Sequence, residues 1–226
     1  DSSSDVAIDS SGSIYTAGYF MGTVDFDPGA GISELNSNGA EVAYLTKFDE
    51  SGNFLWVKIF TGTSDQGIES IALDGDGNIL MTGYFYGTAD FDPGDQTSNL
   101  SSSGSADTFI VKLNSSGEFV WAKKLGGSED DYGYSIATDT SGNVYATGSF
   151  YGSVDFDPGS GSVSLTSVDQ NDIYVSKLNS SGNFIWAKAF GGSSFDEGLS
   201  IAIDNQGNIV TSGYFFGTVD FNPGSG

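Results

Sequence analysis

In Asp107-Thr-Phe-Ile-Val-Lys-Leu-Asn114, the side chains of Phe109, Val111 and Leu113 fall on one face and those of Ile110 and Lys112 on the other. Alternation with a period of two is the signature of a β-strand. Asn114-Ser-Ser-Gly-Glu118 interrupts the pattern, and Phe119-Val-Trp-Ala-Lys-Lys-Leu125 resumes it, which predicts two strands joined by a short hairpin loop. A second hairpin is predicted upstream, where Ser70-Ile-Ala-Leu-Asp74 runs through Gly-Asp-Gly-Asn into Ile79-Leu-Met-Thr-Gly-Tyr-Phe85. The later strands carry apolar groups on both faces, as a sheet covered on both sides requires. No segment has a convincing amphipathic helical period, so little helix is expected.

This arrangement repeats. Asp-Phe-Asp-Pro-Gly begins at Asp25, Asp90 and Asp155 and returns as Asp-Phe-Asn-Pro-Gly at Asp220, a constant step of 65 residues. Trp56, Trp121 and Trp186 keep the same step, as do Lys47, Lys112 and Lys177, and Lys58, Lys123 and Lys188. The chain therefore reads as one array over 1–226, about three and a half copies of a unit. Its divisions are a partial repeat 1–60, repeats 61–125 and 126–190, and a partial repeat 191–226. Each unit holds four principal antiparallel strands. Between the second and third lies an inserted hairpin or loop bearing Asp-Phe-Asp-Pro-Gly. Four-stranded sheets repeated in this way are the blades of an all-β propeller, each covering the faces of the next. A β-solenoid is the alternative, though its repeats are usually shorter. Because three and a half blades fall short of the usual ring of ~4–8, the array is expected to be a segment of a larger one. Its partners would be further repeats of the same or a second chain.

Several motifs recur together: Asp-x-x-Gly-Asn-Ile/Val between two strands, Lys-Leu-Asn-Ser-Ser-Gly-x-Phe-x-Trp-Ala-Lys, and Phe/Leu-Gly-Gly-Ser. In these the chain resembles the secreted bacterial β-propeller repeat known as SBBP. The Asp-Phe-Asp-Pro-Gly insert resembles versions common in large exported proteins of Bacteroidota-type bacteria. The resemblance implies a propeller that is secreted or on the cell surface. It implies no activity.

Charge narrows the partners. Thirty acidic residues against seven lysines and no arginine give a net charge of −23. Such a surface repels nucleic acid and anionic membranes, whose phosphates are bound by Lys and Arg, and attracts cations. No apolar run approaches the ~18 residues of a membrane-spanning helix, so membrane insertion is not expected. The absence of Cys, His and Arg removes thiolate nucleophiles, Ser-His-Asp triads, His-ligated zinc and arginine clamps. No catalytic residue and no organic cofactor is expected. A carboxylate pair for glycoside hydrolysis stays chemically open, but most acids recur at equivalent positions. The exception is Glu129-Asp-Asp131 followed by Tyr132, read as an acidic loop.

The aspartates of the insert are the leading ligand candidates. In extended backbone, Asp25 and Asp27 project to one side while Phe26 buries on the other. Asp90 with Asp92, Asp155 with Asp157, and Asp220 with the neutral Asn222 are the equivalent pairs. Paired carboxylates supplemented by carbonyls and water suit Ca²⁺, a hard cation with six to eight oxygen ligands. The competing reading is that they cap a Pro-Gly turn through Asx-type hydrogen bonds. Asp74-Gly-Asp-Gly-Asn78 begins like a calcium loop but lacks its closing glutamate, so a hairpin turn is expected. The tryptophans are assigned to packing between blades. The recurrent lysines are expected to lie along the sheets with their ammonium groups on repeat carboxylates.

Two functions fit. One is a non-catalytic extracellular module acting as scaffold, spacer or adhesive surface, its partner a glycan or a surface protein. The other is a glycan-binding or glycan-processing propeller whose active site lies in blades outside this segment. That alternative calls for exposed aromatics, for which Tyr19, Tyr84, Tyr86, Tyr214 and Phe216 are the candidates.

Overall fold

The computed structural model describes residues 1–221 and contains twenty β-strands, with no helix among the described residues. The first unit comprises β1 (Ser2–Ile8), β2 (Ile14–Phe20), β3 (Thr23–Asp25), β4 (Glu34–Asn36), β5 (Val42–Phe48) and β6 (Phe54–Phe60). The second comprises β7 (Gln66–Leu73), β8 (Ile79–Phe85), β9 (Thr88–Asp90), β10 (Asn99–Ser101), β11 (Asp107–Leu113) and β12 (Phe119–Leu125). The third comprises β13 (Asp131–Thr138), β14 (Val144–Phe150), β15 (Ser153–Asp155), β16 (Ser164–Thr166), β17 (Asp172–Leu178) and β18 (Phe184–Phe190). The last two strands are β19 (Asp196–Ile203) and β20 (Ile209–Phe215).

Three antiparallel sheets of four strands result, ordered β1-β2-β5-β6, β7-β8-β11-β12 and β13-β14-β17-β18, with β19-β20 forming a sheet of two. The insert is a separate two-stranded hairpin in each of the three full units. The first strands of successive sheets, β1, β7, β13 and β19, pack on one another and so form the inner edge of the array. They are stitched by side chains: the Asp5 carboxylate accepts from Ile71 N and Ser70 Oγ, each at 2.9 Å. One blade on, Ile136 N donates to Ser70 Oγ at 3.4 Å, and Ile201 N to Ser135 Oγ at 3.2 Å.

The alternation in the sequence becomes two faces of one blade. Phe109, Val111 and Leu113 join Met81, Ile79 and Phe85 in the core shared with the first blade. Ile110 and Leu80 point the other way, into the core shared with the third. Trp121 is buried in that second interface. Its indole nitrogen donates to Ser180 O at 3.2 Å, in the hairpin turn of the next blade. Lys112 lies beside it, bonded to Asp74 at 2.8 Å, and Lys47 and Lys177 reach Asp9 and Asp139 at 3.7 and 3.8 Å. The expected pairing is therefore found for Lys47, Lys112 and Lys177. The stems of Lys58 and Lys123 instead pack with Trp56 and Trp121 against the turn glycines Gly117 and Gly182 of the following blade.

The Asp-x-x-Gly-Asn turns are Asx-type loops. Asp74 Oδ1 accepts from Asp76 N and Asn78 N, both at 3.0 Å, and Gly77 takes a φ of 77°, open to glycine at little cost. Burial opposes ionisation of Asp74, but Lys112 and then the Asn78 and Asp76 donors hold its carboxyl below the usual range.

The blade junctions differ at one set of positions. Between the second and third blades Asp107 is fully buried, its Oδ2 accepting from Ser103 N at 3.0 Å and pairing with Lys124 at 3.1 Å. Asp131 lies next to it, its N donating to Ala106 O at 2.8 Å, its carboxylate accepting from Gly127 N at 2.7 Å and Tyr151 N at 3.1 Å. Burial pushes Asp131 up to about 7, with the Asp107 charge adding to the shift. Asp131 is thus a packed interface residue rather than part of an exposed acidic loop, since β13 has already begun there. Asp172 and Asp196 repeat the arrangement one junction later, but Ala189 stands where the second blade has Lys124. At the first junction the pair is replaced by Val42 and Gln66.

Candidate functional site

The inserted hairpins hold the predicted aspartates. In each full copy the first aspartate ends the first strand and folds its carboxylate over the loop. Asp25 Oδ1 accepts from Asp27 N at 3.1 Å and Ser33 N at 2.8 Å, and Asp27 Oδ1 accepts from Gly29 N at 2.8 Å. Asp90 and Asp92 repeat this with Asp92 N, Ser98 N and Gly94 N, and Asp155 and Asp157 with Asp157 N, Val163 N and Gly159 N. The intervening Phe26, Phe91 and Phe156 bury against Tyr44, Phe109 and Tyr174. One oxygen of each aspartate is thereby committed to backbone amides, which is the turn-capping geometry. Burial opposes it, yet the Val163 and Asp157 amides hold the Asp155 carboxyl below its usual range. Asp220 is described, but its partner Asn222 lies outside the described residues. No group of three or more acids able to hold a metal ion forms among the described residues.

From the second copy on, the insert also leans on the connector that leaves the preceding blade. Thr63 N donates to Thr88 O at 2.8 Å and Asp90 N to Thr61 O at 2.7 Å. Bridges between Gly126 and Asp155 and between Gly192 and Val219 repeat the contact. At the third hairpin a cleft of about 420 Å³ places Lys123 and Lys124 with Asp155 and Asp157.

A different recess breaks the repeat. It lies at the edge of the second blade, where β8 ends, flanked by the first blade and by the start of β13, and has a volume of about 360 Å³. Glu41, Asp65, Glu69, Tyr84, Tyr86, Tyr132 and Tyr134 line it. Two of these side chains come from β-bulges: register shifts between Ile68 and Ser70 and between Gly133 and Ser135 leave Glu69 and Tyr134 unpaired. A bulge of this kind re-aims a side chain that a regular strand would send elsewhere.

Hydrogen bonds and ring contacts hold the wall in place. Tyr84 OH donates to Glu41 Oε2 at 3.1 Å, Glu41 N donates to Asp65 Oδ1 at 2.9 Å, and the hydroxyls of Tyr86 and Tyr132 meet at 2.9 Å. Tyr84 and Tyr132 cross edge to face at 5.6 Å, while Tyr132 and Tyr134 stack at 6.0 Å. Burial, then the Glu41 carboxylate, push the Tyr84 phenol well above its usual range. Burial, then the Tyr86 hydroxyl, do the same for Tyr132. Burial brings Tyr134 up to about 12. These phenols are therefore neutral at physiological pH. Burial alone raises the Glu69 carboxyl.

Of these residues the sequence pattern points to Tyr84 and Tyr86 as aromatic candidates. Tyr132 is visible only as a departure beside an acidic run, and Glu41, Asp65, Glu69 and Tyr134 give no local signal. Of the remaining aromatic candidates, Tyr19 is partly buried on β2, and Tyr214 and Phe216 lie on the fourth sheet and its exit, 40% and 57% exposed.

Residues 120–149, from β12 through β14, match the family model of the SBBP β-propeller repeat. The segment contains one interface tryptophan, the Gly-Gly connector and the bulged inner strand. The fold is one of β-propeller repeats. The match does not extend over the Asp-Phe-Asp-Pro-Gly hairpin. The propeller-repeat chain is also similar to an uncharacterized WD repeat-containing protein of Acanthamoeba polyphaga mimivirus, 28% identical over 245 residues. That similarity covers 93% of the chain and 18% of the relative. Similarity to the regulatory protein FlaEY of Caulobacter vibrioides is 24% over 110 residues, covering 49% of the chain and 12% of the relative. The chain therefore spans less than a fifth of either relative's length. The matched propeller repeat and the likeness to a WD repeat-containing protein fit a repeat scaffold.

Proposed function

We propose that the chain is a non-catalytic module of an extracellular or cell-surface bacterial protein, acting as a rigid scaffold or spacer with an adhesive face. The observation that carries this reading is where the repeated chemistry goes. Trp121 and Lys112, both kept from unit to unit, donate to the Ser180 carbonyl in the turn of the next blade, and the kept Asp74 holds Lys112 in place, so these recurrent side chains serve an interface between blades. Units joined this way give stiffness and a multiply presented surface. A glycan array combined with a sugar-release assay, run with bead adhesion to bacterial surfaces, tests the proposal. Adhesion without sugar release is expected, and release of sugar that tracks the purified chain would overturn it.

Calcium belongs to the same proposal, as a stabiliser of the inserted hairpins. The second carboxylate oxygens of Asp25, Asp27, Asp90, Asp92, Asp155 and Asp157, with Asp220 as the fourth copy, are the ligand atoms it would use, completed by carbonyls and water. Thermal unfolding in chelator, with calcium added back and magnesium as control, is the measurement. A ligand that binds only the folded form adds ~2.7 kcal/mol at a hundredfold excess over Kd. Asp→Asn variants keep an oxygen acceptor for the turn amides and lose the charge, so they should abolish a calcium shift while leaving the metal-free melting temperature nearly unchanged. With Lys123 and Lys124 beside Asp155 and Asp157, the third hairpin should respond least. No shift at millimolar calcium would leave the aspartates as turn caps.

A further inference from the structure

We propose that the recess at the edge of the second blade, flanked by the first and third, binds an organic cation, an ammonium group on a compact apolar body. The scaffold role makes no use of this recess. The recess offers the two things such a cation needs, aromatic faces and uncompensated negative charge. Four tyrosines and three carboxylates line it, and none of the seven lysines is among the lining residues. Glu69 has no hydrogen bond or ion pair, although its side chain is partly buried. Tyr84 is tied by its hydroxyl to Glu41, Tyr86 and Tyr132 to each other, and Tyr134 stacks on Tyr132, which fixes the rings before a ligand arrives. A volume of about 360 Å³ is within the range of small-molecule sites.

The recess also exists only once among the described units. At the position of Tyr132 the other units carry Ser2, Gly67 and Glu197, and at that of Tyr134 they carry Ser4, Glu69 and Leu199. Where Tyr84 stands, the third unit has Ser149, and where Glu41 stands, the second and third have Ala106 and Asn171. Repetition alone does not produce this wall. It arises where Glu41 of the first unit, Asp65, Glu69, Tyr84 and Tyr86 of the second and Tyr132 and Tyr134 of the third are combined across two bulges.

Isothermal titration of the full chain with choline, against 3,3-dimethylbutan-1-ol, tests the proposal, because the two share a shape and differ in charge. Saturable binding of choline, at least about tenfold tighter than the neutral isostere, is expected. Tyr132→Ser, which restores the residue of the first unit, and Glu69→Gln should each weaken choline about tenfold or more. Tyr151→Ser, outside the recess, should leave it unchanged. If Tyr132→Ser does not fold by circular dichroism, Glu69→Gln decides. Equal affinity for the two alcohols, binding retained in Glu69→Gln, or no binding up to about 100 mM choline would each overturn the proposal. A neutral disaccharide that binds there in preference to choline would do so too.

Discussion

At the scale of single residues, the most informative comparison is among three junctions built on one plan. Asp107 and Asp172 each fold a carboxylate against a bare glycine: a Cβ added at Gly126 or Gly191 would lie 2.2 Å from the Asp107 or Asp172 Cγ. The first unit has Thr61 at that position, opposite Val42. The glycine is needed where the acid is present and gone where it is absent, so the two change together for a steric reason. Oδ1 of both aspartates is buried without a hydrogen bond, but Lys124 pairs with the other oxygen of Asp107, whereas the third unit supplies Ala189 at that position. Burial, with the Asp196 charge behind it, pushes Asp172 up to about 6. The folded chain thus holds this proton more tightly than the unfolded chain, whose aspartates titrate near 3.9. The resulting contribution to stability is fully present below about pH 4 and is lost as the pH rises through about 6. Asp172→Asn should therefore stabilise the fold at pH 8 by about 1–3 kcal/mol of relieved burial, seen as a higher melting temperature, and do little at pH 4.5. Melting curves at the two pH values check this; an equal effect at both would mean that Asp172 does not titrate in that window.

The elements show how far a period of two can be read. The faces of β11 follow directly from alternation, and the Asx turns follow from Asp-x-x-Gly-Asn, because both depend on neighbours in sequence. The hairpin insert was legible as a hairpin, and Phe91 as its buried residue, since it sits between two polar aspartates and a Pro-Gly turn. What the pattern did not reveal depends on partners distant in sequence. The bulges at Glu69 and Tyr134 are set by how β7 and β13 register against β8 and β14, and only that register turns the two side chains into one recess. The burial of Asp131 was equally hidden, because an acidic run gives no sign that its last member begins an inner strand. The hairpin itself makes a clear prediction. Phe91 is fully buried against Phe85 and Phe109, while Phe26 is only partly buried in the first unit. Phe91→Ala should cost about 3–5 kcal/mol, and Phe26→Ala less, as read by urea unfolding. Equal costs would show that the hairpins contribute by their backbone pairing rather than by the aromatic plug.

Over the whole molecule, stability should follow the number of covered faces. The second sheet is sandwiched between cores on both sides. The β19-β20 sheet packs through Ile201 onto the third blade, yet Val210, Phe215 and Phe216 are each about half exposed. In an array held by contacts between neighbours, each blade's stability is its own term plus those of its interfaces. Local opening should then be easiest where one interface is missing. Amide hydrogen exchange read on peptides covering 107–125 and 196–215 measures this. Slower exchange in the first is expected, with the difference reduced in Trp121→Ala, because that substitution removes a side chain buried between the second and third blades together with its bond to Ser180. The same change at Trp186, beside the open recess shared with Ile209 and Phe221, should leave 107–125 unaffected. Identical protection across the two peptides in the unaltered chain would mean that the blades open together, and that coupling along the inner strands outweighs the loss of a covered face.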